Sequence, residues 1–147
     1  MNRRDANRTI LGSVLAVGGS RVLGQSVPVP AVRIGELIRL REVWADLEFQ
    51  FASQPCLLVR VPVPQQDNPR FLKASEQIYL TAYSRICTHL GCTVPLPDQA
   101  QNIECGCHGS RFKADGSLLG GPADRSLRAI RLEVREGAVW AVGWLDS

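Results

Sequence analysis

The two stretches that decide the fold are CTHLGC at residues 87–92 and CGCHGS at residues 105–110. Twelve residues separate them, and together they contain four of the five cysteines and both histidines of the 147-residue chain. Cysteine thiolate is a soft metal ligand, and imidazole is the commonest metal ligand among side chains. This concentration of ligand types predicts a metal centre held between two loops.

The spacing within each stretch suits binding from a single loop. Cys87 lies two residues before His89, and Cys105 lies three residues before His108. Two thiolates and two imidazoles from paired loops could bind either a tetrahedral zinc ion or a two-iron cluster. The residue types alone leave both metals open.

Composition and charge limit the classes of function. A chain of 147 residues is the size of one domain and leaves no room for a separate catalytic domain. Residues 1–26 contain four arginines and one aspartate, and the rest of the chain has 13 basic and 13 acidic residues. Because phosphate binding needs a clustered basic surface, this balance argues against nucleic acid as a partner. Length and charge balance therefore predict a single domain that does not bind nucleic acid.

Residues 1–26 are predicted to be an export signal or an N-terminal anchor. The pair Arg3-Arg4 is similar to a twin-arginine signal, although Asp5 begins a polar triplet where such signals have an apolar pair. The apolar stretch from Ile10 to Leu23 is shorter than the roughly 20 residues that a spanning helix needs. We expect export to the periplasm or the outer face of the cytoplasmic membrane. A disordered tail and a retained anchor are the alternatives.

The remainder, residues 27–147, is predicted to be an antiparallel all-β domain. Period-two alternation or continuous apolar runs predict strands at residues 47–51, 56–63, 78–83, 130–135 and 138–145, the last two forming a hairpin. A weak helix is predicted over Arg39–Leu47. Glycines and prolines predict that the region from about Ser84 to Arg125, which holds both cysteine stretches, is a loop-rich insertion. Loops on a rigid sheet often carry function.

The stretches CTHLGC and CGCHGS resemble the two boxes of Rieske [2Fe–2S] proteins, in the disulfide-bearing type of cytochrome bc and bf complexes and arsenite oxidases. The resemblance implies a Rieske fold, in which an antiparallel sheet base carries a cluster-binding subdomain at about residues 84–125. It also implies one [2Fe–2S] cluster. Cys87 and Cys105 would ligate the buried iron, and His89 and His108 would ligate the outer iron.

The same resemblance gives roles to the other residues of the boxes. Cys92 and Cys107 would form a disulfide between the two loops. Ser110 would donate its hydroxyl proton to a bridging sulfide. The segment Gly120–Ala123 is similar to the proline loop that covers the third side of the cluster in this family.

Two positions lie outside this pattern. High-potential members of the family have a tyrosine, hydrogen-bonded to a ligand cysteine, where this chain has Phe112. The missing hydroxyl predicts a reduction potential below that of the quinol-oxidising members and above that of the disulfide-free Rieske ferredoxins. Cys56 has no other ligand type nearby and is predicted to be a plain core cysteine.

The resemblance implies one-electron transfer by a subunit of an exported or membrane-associated oxidoreductase complex, and this subunit would have no substrate site of its own. A quinol-oxidising cytochrome bc or bf complex is expected, with cytochrome b, a c-type cytochrome and quinol as partners. The small subunit of an arsenite-oxidase-like molybdoenzyme, partnered by a molybdopterin subunit, is the alternative, because residues 49–59 and 82–84 look similar to it. A structural zinc module is the second alternative. A Rieske oxygenase is excluded, since no histidine remains for its mononuclear iron.

Overall fold

Ten short strands and one 3-10 turn account for the regular structure of residues 27–145, the part of the chain that the computed structural model describes. The turn covers Leu37–Arg39. The strands are β1 Val32–Glu36, β2 Asp46–Phe51, β3 Gln54–Val61, β4 Leu72–Ser75, β5 Ile78–Ser84, β6 Asn102–Glu104, β7 Arg111–Lys113, β8 Leu118–Gly120, β9 Ile130–Arg135 and β10 Ala138–Trp144. All five strands predicted from the sequence are present, with ends that differ by at most two residues.

The strands form three antiparallel sheets. Their orders are β1-β10-β9, β2-β3-β5-β4 and β6-β7-β8. A bridge between Tyr83 and Ala129 connects the four-stranded sheet to the chain just before β9. The prediction of an antiparallel all-β domain is therefore confirmed.

The four-stranded sheet lies between two hydrophobic cores. In β3, Cys56 and Leu58 pack into the core shared with β9 and β10, whereas Leu57 and Val59 pack into the core beneath the cysteine loops. All four side chains are buried. This burial on both faces explains why β3 is a continuous apolar run instead of an alternating one. The sheet is thus a rigid base for the loops above it.

The prediction of a helix over Arg39–Leu47 is wrong. Helical structure ends with the 3-10 turn at Arg39, and the following chain pairs with the end of β3. The Trp44 amide donates to the Arg60 carbonyl at 2.8 Å, and the Arg60 amide donates to the Ala45 carbonyl at 2.9 Å. Trp44 also has a φ of 71°, which a right-handed helix excludes. Pairing with a neighbouring strand outweighed a weak local helix preference.

The loop-rich insertion contains a small sheet that the sequence did not reveal. Its strands β6, β7 and β8 have three residues each, too few for a periodic signal. The stretch 105–110 connects β6 to β7, and Gly121 directly follows β8. The small sheet therefore fixes the second cysteine loop and the proline loop side by side.

The predicted export signal or anchor at residues 1–26 lies outside the described residues. Between residues 27 and 145, no helix has the length and apolar character needed to cross a membrane.

Candidate metal centre

The first loop, residues 87–92, is closed by hydrogen bonds at its neck. The Cys87 amide donates to the Cys92 carbonyl at 2.7 Å, and the Gly91 amide donates to the Cys87 carbonyl at 2.9 Å. Gly91 has a φ of +84°, a conformation that residues with a Cβ rarely adopt. A Cβ at residue 91 would have no atom within 4 Å. Glycine is therefore favoured here by the backbone conformation and not by steric crowding.

The second loop, residues 105–110, repeats the same closure. The Cys105 amide donates to the Ser110 carbonyl at 2.8 Å, and the Gly109 amide donates to the Cys105 carbonyl at 2.9 Å. Gly109 again has a positive φ, +77°. The two boxes therefore build two loops of matching backbone structure, although their side chains differ.

The four predicted ligands differ in exposure according to their type. Cys87 and Cys105 are buried free thiols, whereas His89 is half-buried and His108 is exposed. The two imidazole rings lie edge to face with centroids 4.9 Å apart. The Nδ1 atom of His89 is buried without a hydrogen-bond partner in the described part of the chain. Because a buried polar atom is seldom left unpaired, this nitrogen fits the role of a metal ligand.

A disulfide joins the two loops through Cys92 and Cys107, as the resemblance implied. The Sγ atoms of these residues and of Cys105 all lie within 4.8 Å of one another. This trio has the spacing of a metal site, but two of its sulfurs are bonded to each other and supply no thiolate. Cys105 is thus the only one of the three that can ligate a metal while the disulfide is intact.

The proline loop packs directly against the second loop. The Ala123 amide donates to the Oγ atom of the buried Ser110 at 3.0 Å. Because this Oγ accepts a hydrogen bond, its own proton is left for another acceptor. Gly121 has a φ of +95°, and a Cβ there would lie 2.7 Å from the Ser110 Cα. Glycine is required at this close approach of two backbones.

A side chain of the first loop also reaches the segment that follows the proline loop. The Thr88 hydroxyl donates to the Arg125 carbonyl at 2.7 Å. With the contact between Ala123 and Ser110, this bond ties the proline-loop region to both cysteine loops. Three segments distant in sequence are thereby held around one point.

Arg85 is a structural residue of the site that sequence reasoning missed. Its Nε and Nη2 atoms donate to the Val94 carbonyl at 3.1 and 2.9 Å, and the Val94 amide donates to the Arg85 carbonyl at 2.8 Å. Its own amide donates to the Pro55 carbonyl in β3 at 2.8 Å. Arg85 therefore joins the start and the end of the first loop to the base sheet. The only sequence signal was a charge between an apolar strand and Cys87.

Phe112 and Tyr83 both lie buried in the core beneath the loops. The Tyr83 hydroxyl donates to the Ala114 carbonyl at 2.7 Å. Burial raises the pKa of this hydroxyl well above its usual value. Tyr83 is thus engaged elsewhere and does not replace the hydroxyl that position 112 lacks.

A cleft of about 540 Å³ opens beside the first loop. Its lining includes Thr88, His89 and Leu90 of the loop, together with Arg125 and Arg128. The Leu90 side chain next to it is 69% exposed. His108 is exposed and His89 lines this cleft, so a partner can reach both histidines, whereas the Cys87 and Cys105 side chains are buried.

An all-β base that carries two matched loops with two thiols and two imidazoles has the features of a Rieske protein. A family model described as "Rieske [2Fe-2S] domain" matches residues 41–131. This chain belongs to the Rieske [2Fe–2S] family, and its cofactor is one [2Fe–2S] cluster. The family assignment favours the cluster over the zinc alternative.

Relatives and a solved structure agree with this assignment. Cytochrome b6-f complex iron-sulfur subunit 3 of Nostoc sp. is 39% identical over all of this chain and 88% of its own length. Cytochrome b6-f complex iron-sulfur subunit 2 of Trichormus variabilis is 43% identical over 42% of this chain. The plasma membrane Rieske protein PetC3 of Synechocystis is 25% identical with a TM-score of 0.54, over 75% of this chain and 97% of that one.

The matches differ in how much of the relative they include. The chain spans 34% of the length of the Trichormus subunit and 46% of that of the Prochlorococcus marinus subunit. Each of these two matches therefore includes less than half of the relative.

Proposed function

We propose that this chain passes single electrons through its cluster as the iron–sulfur subunit of a quinol-oxidising cytochrome bc- or bf-type complex. The observation that carries the proposal is the contact between the His89 and His108 rings across two loops of matching closure, each of which also holds a buried free thiol. The names of the relatives, cytochrome b6-f complex iron-sulfur subunits, support the choice of complex.

The ligand roles follow from burial. Cys87 and Cys105 would hold the inner iron, because both thiols are enclosed. His89 and His108 would hold the outer iron, with the unpartnered Nδ1 of His89 as one ligand atom. Ser110 would donate its hydroxyl proton to a sulfide of the cluster, since its Oγ already accepts from Ala123.

The ligand set determines the reduction potential of the cluster. Rieske clusters have potentials of roughly −150 to +300 mV, against about −400 mV for all-cysteine plant-type clusters, because neutral imidazoles replace two thiolates. A hydrogen bond from Ser110 to a sulfide would raise the potential further, because it would stabilise negative charge on sulfur. Phe112 contributes no hydroxyl, so we expect a value below that of quinol-oxidising members with a tyrosine there. The enclosed Cys87 and Cys105 keep water from the inner side.

The proposed partners are a cytochrome b on the quinol side and a c-type cytochrome as acceptor. Residues 1–26 would direct or anchor the chain for work at the outer face of the cytoplasmic membrane, and residues 27–147 would form the working domain. The cluster-binding part would be residues 84–125, which the loops, the small sheet and the proline loop occupy.

Isolation of the whole complex tests this proposal. The full chain, tagged at its C-terminus, would be purified from detergent-solubilised membranes of its own host. We expect cytochrome b to copurify and quinol to reduce both the cluster and the cytochrome b haem. Copurification of a molybdopterin subunit without cytochrome b would contradict the assignment and support the molybdoenzyme alternative.

A further inference from the structure

Three cysteine sulfurs are grouped where the two loops are joined. The Sγ atoms of Cys92, Cys105 and Cys107 all lie within 4.8 Å of one another. Two of them form the disulfide between Cys92 and Cys107, and the third belongs to the free thiol of Cys105. A thiolate that reaches a disulfide can displace one of its two sulfurs. The group therefore has the composition of a thiol–disulfide exchange site.

The surroundings of Cys105 restrict its chemistry to this neighbouring disulfide. Its side chain is only 2% exposed, so dissolved oxidants and thiols have little access to it. Its amide donates to the Ser110 carbonyl at 2.8 Å, and its carbonyl accepts from the Gly109 amide at 2.9 Å, which holds it at the base of the second loop. Cys87, the other buried thiol of the site, does not belong to the group of three. The disulfide is thus the electrophile within reach of the Cys105 sulfur.

The two sulfurs of the disulfide are not equivalent targets. Attack on Cys92 would release Cys107, which is exposed, so water can solvate the leaving thiolate. The new bond between Cys92 and Cys105 would still join the two loops and would close a segment only two residues shorter. Attack on Cys107 would instead pair two cysteines with only Gly106 between them and would leave the loops without a covalent link. Because a cross-link over a longer segment stabilises more, the first product is favoured.

We propose that Cys105 exchanges with the Cys92–Cys107 disulfide whenever it is not bound to iron. The Cys105 thiolate attacks the Cys92 sulfur, the bond between Cys92 and Cys107 breaks as the new one forms, and the Cys107 thiolate takes up the proton that Cys105 released. Cys105 is oxidised and Cys107 is reduced, so the step needs no external oxidant. The exchanged chain has lost one proposed ligand thiolate and carries an exposed thiol instead.

Binding of the cluster and this exchange exclude each other, because both use the Cys105 sulfur. The proposal rests on the ligand role of Cys105 in the proposed function, but not on the complex in which the chain works. Exchange would therefore mark chains that have not received a cluster or have lost it, and the exposed Cys107 thiol would be the site at which a disulfide-reducing protein could restore them.

A matched pair of variants tests the exchange. Cys87→Ser and Cys105→Ser each remove one buried thiol of the proposed ligand set, so both full chains stay free of cluster, but only Cys87→Ser keeps the attacking sulfur. Each is purified without added thiols and treated with iodoacetamide under native conditions, and the disulfides are mapped by mass spectrometry. Cys87→Ser should contain the Cys92–Cys105 bond, with Cys107 alkylated about tenfold more than in Cys105→Ser. Cys105→Ser should keep the Cys92–Cys107 bond.

The wild-type chain supplies a second measurement and an internal report on folding. With its cluster it should show only the Cys92–Cys107 bond, and removal of iron by a chelator should free Cys107 in step with the loss of visible absorption. Cys56 should stay unmodified throughout, because its thiol is buried in the other core.

Three results would overturn the proposal. They are equal alkylation of Cys107 in both variants, protection of Cys107 in Cys87→Ser and in the iron-free wild type, and alkylation of Cys56 as fast as that of Cys107. In the last case, release of Cys107 would follow general unfolding. None of these results bears on copurification with cytochrome b, so a failure here is distinct from a failure of the proposed function.

Discussion

The imidazole rings of His89 and His108 lie edge to face, 4.9 Å apart, although 19 positions separate them in the sequence. Each ring stands on its own loop, and the two loops close through the same pair of backbone hydrogen bonds. The Cys92–Cys107 disulfide joins them. The two loops therefore bring both imidazole rings to one place, where they could bind the same metal.

Loss of either histidine should remove the cluster. In the proposed ligand set, His89→Ala and His108→Ala would each leave the outer iron with one protein ligand, so we expect loss of visible absorption and of the EPR signal of the reduced protein. Cys56→Ala is the control, because Cys56 is buried in the other core, and it should keep both signals. Full iron and sulfide content in His89→Ala would refute the ligand assignment.

The disulfide should stabilise the loops that hold the cluster. It closes a segment with a sequence separation of 15, for which chain entropy predicts about 3 kcal/mol. The double variant C92S/C107S should therefore lose its cluster at lower temperature or denaturant concentration, followed by visible absorption. An unchanged midpoint would show that backbone bonds at the loop necks suffice.

A hydroxyl at position 112 should raise the reduction potential. Phe112 is buried beneath the loops, and the family pattern directs a tyrosine hydroxyl there to a ligand cysteine. A hydrogen bond of about 1 kcal/mol corresponds to about 40 mV for a one-electron couple. Redox titration of Phe112→Tyr is expected to show such a rise. The control is Tyr83→Phe, which loses the hydrogen bond to the Ala114 carbonyl. It should lower the stability of the protein and leave the reduction potential nearly unchanged. A larger shift in potential for Tyr83→Phe than for Phe112→Tyr would contradict the prediction.

Arg85 should stabilise the base of the first loop. Arg85→Met removes two donors from the Val94 carbonyl, and hydrogen bonds from charged groups are worth about 1.5–3 kcal/mol. Denaturant unfolding should show a loss of this order. Arg135→Met, whose exposed partner is Glu133, should cost less than about 1 kcal/mol. Equal losses of stability in the two variants would mean that the hydrogen bonds from Arg85 to Val94 contribute no more than the exposed ion pair.

Cys56 should make stability depend on pH in the alkaline range. Burial raises the pKa of its thiol from 9.0 to about 11. Between these values the unfolded chain releases a proton that the folded chain keeps, so stability falls as pH rises from about 9 to about 11. The free energy of unfolding should fall by about 1–3 kcal/mol over this range, because each unit of pKa difference is worth about 1.4 kcal/mol. Cys56→Ala should lack this part of the decline, and identical pH profiles for both proteins would count against it.

The sequence predicted most of the base and the main residues of the site. Strands such as β9, Ile130–Arg135, alternate at period two because one face is buried and the other exposed. The histidines and cysteines of the boxes were found because their residue types are rare elsewhere in the chain. Local pattern therefore sufficed wherever burial or ligand chemistry determined the residue.

Contacts between distant segments were beyond prediction from the sequence. The pairing of Trp44 and Ala45 with Arg60 replaced a predicted helix, and it depends on β3 lying alongside. The three-residue strands are stabilised by their neighbours and not by their own composition. The roles of Arg85 and Thr88 depend on carbonyls at Val94 and Arg125, which no spacing rule indicates.

The most direct test of the central claim is low-temperature EPR of the dithionite-reduced protein, with iron, sulfide and zinc analysis of the same sample. A [2Fe–2S] cluster with two histidine ligands predicts a coloured protein, a Rieske-type EPR signal, and two irons and two sulfides per chain. A colourless, EPR-silent protein with one zinc per chain would contradict it.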